Sequence, residues 1–188
     1  MVPGKYAHRL MRTWIRIVVC GAFTAGVAMT AGPVGASPVP AAAPKGACKL
    51  VTVREAGTIL GTRAGSGKST VKTVSGVKNE ACEWKAKKKG TGGIDGKALS
   101  LELAVESGGG VVDAYQSQKS EDPDDVIPVP GLGDDAFIQD FGLDLHVLAG
   151  ERVLSVEMHN YRYPEPLTQE KIQQKEQDAA TLALGRLG

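Results

Sequence analysis

The plainest pattern in the chain is strict alternation. Leu99, Leu101, Leu103 and Val105 are interleaved with Ser100, Glu102, Ala104 and Glu106, so a strand here has one buried face and one wet face. Residues 143–158 alternate twice about Gly150-Glu151. With glycine first in a two-residue type II′ turn, Leu145 meets Val156, Val147 meets Leu154 and Leu143 meets Met158 on one face. Asp144, His146, Ser155 and Glu157 then share the opposite, outward face.

Helical spacing shows in three places. Val53, Ala56, Ile59 and Leu60 form one apolar stripe, opened by the Thr52-x-x-Glu55 capping box and closed by Gly61, which predicts a helix over 53–60. Val111, Val112, Tyr115 and Gln118 predict a short second helix. A polar helix over 168–186 carries Ile172, Ala179, Leu182 and Ala183 inward. Short strands are read at Ala81–Trp84 and around Ala136–Gln139. The Gly/Ser/Lys/Thr stretch between Gly61 and Ala81 reads as a flexible loop, Lys87–Gly93 as a charged one, and Pro128, Pro130, Gly131 and Gly133 as a rigid corner. Hairpins joined by such turns indicate an α+β fold, with an antiparallel sheet, helices packed mainly on one face, and one disulfide.

The first residues read as an address rather than as fold. Lys5, Arg9, Arg12 and Arg16 precede an apolar run over Ile17–Gly32, and Val34-Gly35-Ala36 suits a cut between Ala36 and Ser37. The expected organisation is a signal peptide over 1–36, a Pro/Ala-rich tether over 37–47 and a single α+β domain over 48–188. The destination is secretion or the cell envelope. The alternative is an uncleaved N-terminal membrane anchor, against which the run is short and broken by Gly21, Gly26 and Gly32.

Without that address the chain holds 18 Lys/Arg against 21 Asp/Glu, and two cysteines, Cys48 and Cys82. In an oxidising compartment such a pair most simply forms one disulfide, worth roughly 3–4 kcal/mol in the chain-entropy model. Residues 45–97 are basic (12 cations, 4 anions) and residues 98–188 acidic (6 and 17). A near-neutral total argues against a nucleic-acid partner. The basic loop of Lys85, Lys87, Lys88 and Lys89 offers transient contact with anionic lipid headgroups or envelope polymers.

The chemistry-bearing motifs are near misses. Thr62–Ser69 resembles a phosphate-binding loop, but Thr62 stands where the first glycine belongs, and the segment follows a helix rather than a strand. We read it as a false match. His146 and His159 fall towards opposite ends of the hairpin, too far apart to share a metal ion, and read as surface polar residues. The acidic turn 121–125, with Asp134 and Asp135, lacks the spacing of a calcium loop. No nucleophile elbow occurs, so no catalytic, cofactor or metal residue is assigned.

An ordered set of motifs does carry a family resemblance. Cys48-Lys49-Leu50-Val51-Thr52 opens the first helix; Cys82-Glu83-Trp84 follows, then Val129-Pro130-Gly131-Leu132-Gly133-Asp134-Asp135-Ala136-Phe137, then the strand pair and closing helix. Over about residues 48–187 this resembles the actinobacterial secreted and lipid-anchored family called domain of unknown function 3558. The resemblance implies an exported or envelope-associated protein without known catalysis, and it transfers no site residues. The expectation is a noncatalytic exported binding or interaction module whose partner is an envelope component or a protein. The alternatives are an extracellular hydrolase acting through carboxylates such as Asp134 and Asp135, and a small-molecule or lipid carrier with an apolar cavity.

Overall fold

A computed structural model of the chain describes residues 46–87, 97–121, 123–139, 143–159 and 167–188. The expected signal peptide, the expected Ala36/Ser37 cut and residues 37–45 of the expected tether lie outside these, as do Lys88 and Lys89. Ala47, at the tether's end, is already buried.

Thr52 and Glu55 form both arms of the capping box, and α1 runs Val53–Leu60, ending at a left-handed Gly61. The strands are β1 (Lys68–Val74), β2 (Val77–Lys85), β3 (Ser100–Gly108), β4 (Ile127–Pro128), β5 (Asp135–Gln139), β6 (Asp144–Ala149) and β7 (Arg152–His159). They form one antiparallel sheet in the order β1-β2-β3-β7-β6-β5-β4. Helix α2 (Val111–Glu121) leaves the end of β3, and α3 (Gln169–Leu187) closes the chain. The β6–β7 register is the one alternation predicts: Leu145 opposes Val156 and Val147 opposes Leu154, while the ladder starts at Asp144↔Glu157, just short of Leu143. Positive φ at Gly150 (60°), and not at Glu151, is what a type II′ turn requires.

The main core lies between one sheet face and helices α1 and α3. Leu101, Leu103, Val105, Leu145, Val147, Leu154 and Val156 pack there with Ile59, Leu60, Ile172, Ala179 and Ala183. Helix α2 takes the opposite face, where Val111 and Tyr115 cover Phe137 and Val153; the Tyr115 and Phe137 rings are 5.1 Å apart. So two helices share one face and the third builds a smaller core on the other.

Three expectations are corrected. The stretch read as a flexible loop forms β1, a seven-residue strand, and β2 is longer than the predicted Ala81–Trp84. Every residue of β1 is exposed, so its sequence has no reason to alternate; the ladder to β2 holds it. Val53, counted in the buried stripe, is instead 45% exposed.

The Cys48–Cys82 disulfide is formed. It ties the 3-10 turn Ala47–Lys49 to β2 and fits an oxidising, extracellular-type compartment. Among the described residues no helix is long and apolar enough to cross a membrane.

Candidate functional site

A groove of about 610 Å³ runs along the outer face of α1. Its walls are Val53, Arg54, Gly57 and Thr58 on the helix, Gly61–Ala64 beyond it, and Lys87 two residues past β2. Gly57 allows this closeness: a Cβ there would stand 3.0 Å from the Thr62 carbonyl oxygen and 3.3 Å from the Ala64 nitrogen. The chain turns sharply after Gly61 because the Gly61 and Thr62 amides bond back to Thr58 and Gly57 carbonyls, at 3.1 and 3.0 Å.

Backbone bonds then fix the rim. Gly65 donates to the Lys85 carbonyl and Lys87 to the Arg63 carbonyl, both at 2.8 Å. Arg63 and Lys87 are thereby neighbours across a short bridge, although far apart in sequence, and Arg54 faces them from the first turn of α1. All three are exposed, and none makes an ion pair with a described residue. Among the described residues no carboxylate lines the groove. The C-terminal carbonyls of α1 would by themselves repel an anion. Lys175 of α3 donates to the Ile59 carbonyl there and offsets this. Its burial lowers the lysine's pKa from the ordinary value.

The motifs singled out in the sequence divide as follows. Of the segment resembling a phosphate loop, Thr62–Ala64 line the groove. Gly67 lies over the disulfide, and Lys68-Ser69 open an extended strand rather than a helix. The geometry that would present helix amides to a phosphate is therefore missing. Lys85 pairs with Glu83 at 3.3 Å, so Lys87 is the member of the described basic pair that faces the groove.

The histidines differ from the surface reading. His146 lies 5.1 Å from the Phe137 ring, 3.2 Å from Ser155 Oγ and 3.1 Å from Gln118 Nε2, and burial lowers its pKa to about 4. His159 lies between Glu157, at 2.8 Å, and Glu102, at 3.4 Å; hydrogen bonds to these carboxylates raise its pKa to about 10. It is a charged clamp between two acids that face each other across β3 and β7.

Asp134 and Asp135 are not brought together as an acid–base pair. Asp134 accepts from the Gly150 amide at 2.6 Å and so braces the hairpin turn. Asp135 is bound by Lys119 at 2.6 and 2.8 Å, which lowers its pKa. Within the acidic turn, Asp122 lies outside the described residues. Among the described residues no group of three or more His, Cys, Asp or Glu is arranged to hold a metal ion.

Arg54 and Arg63 were not picked out from the sequence. Their signal was faint: Val53, Gly57 and Gly61 share one helical face, and the two glycines leave most of it bare. No family model, no curated protein and no solved structure matches the chain.

Proposed function

We propose that the chain is an exported, noncatalytic binding module, and that its groove holds an anionic, partly apolar envelope component such as a lipid bearing a phosphate headgroup. One observation carries this reading. Arg54, Arg63 and Lys87, which have no carboxylate partner among the described residues, line one groove together with Val53, Gly57 and Ala64. Unpaired cations beside low-polarity walls attract anions more strongly than the same cations in open water. Apolar walls add affinity for the ligand's hydrocarbon portion. Secretion, with a mature chain starting at Ser37, and kinship with domain of unknown function 3558 belong to the same proposal and rest on the sequence motifs.

The test is calorimetric titration with dihexanoyl phosphatidic acid below its micelle concentration, with dihexanoyl phosphatidylcholine as control. Saturable binding of the anionic lipid, weakened at least tenfold in Arg54→Glu/Arg63→Glu and by raised salt, supports the site. No binding of the anionic lipid, or equal binding of both lipids, overturns it. Turnover of an envelope substrate, abolished by a point mutation, would sink the noncatalytic reading.

A further inference from the structure

The two edges of the sheet are built differently. On one side β4 is a two-residue strand containing Pro128, an edge too short and too poor in donors to template another strand. On the other side β1 runs for seven residues in unbroken register with β2, without a bulge or a proline. No described element pairs with its outer side. Val71 and Val74 are 58% and 67% exposed, two of only four large apolar side chains so exposed among the described residues.

The hairpin turn decides which backbone groups face outward. Ser75 and Gly76 both have positive φ, 51° and 83°, the form of a two-residue type I′ turn, and Val74 opposes Val77. In such a hairpin the flanking pair exchanges both hydrogen bonds, and the pattern alternates from there. The amides and carbonyls of Ser69, Val71 and Thr73 therefore point away from β2, unused by the ladder.

We propose that β1 is a dimerisation edge, on which a second copy of this chain pairs antiparallel about a two-fold axis at Val71. The sequence of the strand is what favours a copy of itself over a foreign strand. Centring on Val71 sets Val71 against its partner's Val71, Ser69 against Thr73, Thr70 against Lys72 and Lys68 against Val74. All seven residues pair, and the three outward-facing positions meet one another. No lysine, the one guard on this edge, then stands directly opposite another, and the Lys68 stem covers the exposed Val74. Centring one residue earlier would oppose Lys68 with Lys72 and bring inward-bonded residues to the axis. The two sheets become one continuous sheet, and both exposed valines are covered. The proposal is independent of the groove, whose residues β1 does not include.

Sedimentation analysis of the purified protein from micromolar to several hundred micromolar tests it. A concentration-dependent dimer is expected. Val71→Pro, which removes the central outward N–H, should shift it to monomer at all these concentrations while the protein still melts cooperatively. Should that variant fail to fold, Val71→Cys reads the register directly. Residues opposed at the axis lie about 5.5 Å apart between Cα atoms, within disulfide range. Mild oxidation should cross-link Val71→Cys into dimers and leave Lys72→Cys, which faces Thr70, monomeric. A protein that stays monomeric throughout, or cysteines that cross-link equally at both positions, overturns the proposal. Binding of a different protein's strand by a monomeric chain counts as the first of these.

Discussion

Arg186, in the last turn of α3, holds Glu55, in the first turn of α1, through two hydrogen bonds of 2.6 and 2.8 Å, and also donates to the Leu50 carbonyl at 2.7 Å. The same Glu55 carboxylate accepts from the Thr52 amide at 2.8 Å. One side chain thus completes the capping box of α1 and fastens the end of the chain to its first helix. The Arg186 hydrogen bonds, and then that of the Thr52 amide, lower the Glu55 pKa to about 2.

That lowered pKa has a definite pH signature. A carboxyl whose folded value lies below the ordinary 4.5 contributes stability that is fully present above 4.5 and is lost as pH falls towards about 2. Arg186→Gln should melt a few degrees below the parent at pH 7, the modest effect of a partly exposed pair. Thermal melts at pH 7 and pH 2 check it. The gap should shrink at pH 2, and one that persists undiminished would assign the effect to packing instead of charge.

Gly67 belongs to the segment resembling a phosphate loop, yet its role is steric. A Cβ there would stand 2.5 Å from Cys82 Sγ, 2.8 Å from Trp84 Nε1 and 3.1 Å from Cys48 Sγ. Gly67→Ala should destabilise the protein by about 1–3 kcal/mol, as overpacking of a tight site does. Gly65→Ala, whose Cβ would rest 3.5 Å from the Lys85 carbonyl oxygen, should cost much less. Urea titration of both variants decides the matter, and equal costs would refute the account.

Glu176 is fully buried on the inner face of α3, where it accepts from the Met158 amide at 3.3 Å, and burial raises its pKa to about 9. Asp144 and Glu157 add to the rise, while charged His159 opposes it. Here the sign runs the other way. Folded Glu176 stays protonated where the unfolded chain ionises, so its contribution is whole below about 4.5 and is lost as pH rises towards about 9. Glu176→Gln keeps an acceptor for Met158 and removes the titration. It should raise the melting temperature at pH 8 more than at pH 5, and parallel profiles for parent and variant would exclude this.

What the sequence made legible was whatever depends on near neighbours. The boundaries of α1 follow from a capping box and a glycine a few residues apart, and the β6–β7 register from alternation about a single turn. The disulfide needed only two cysteines and a leader that reads as an export address. Strand β1 was hidden because a strand wet on both faces carries no apolar alternation. Its one local signal was the Ser75-Gly76 turn. Glu176 was hidden for the opposite reason: a carboxylate in an otherwise apolar stripe reads as a gap until the Met158 amide beneath it is known.

The assembly of the groove depended on tertiary structure. In one dimension Arg54 and Arg63 are isolated exposed cations, and Lys87 is one member of a basic run. They become a site because Gly57 admits the returning chain and two backbone bonds bring residues 63 and 87 side by side. Local pattern dictates elements because its contacts span one turn of helix or one residue pair of strand. Sites are assembled from residues whose proximity is created by the sheet, and no short-range pattern encodes that proximity.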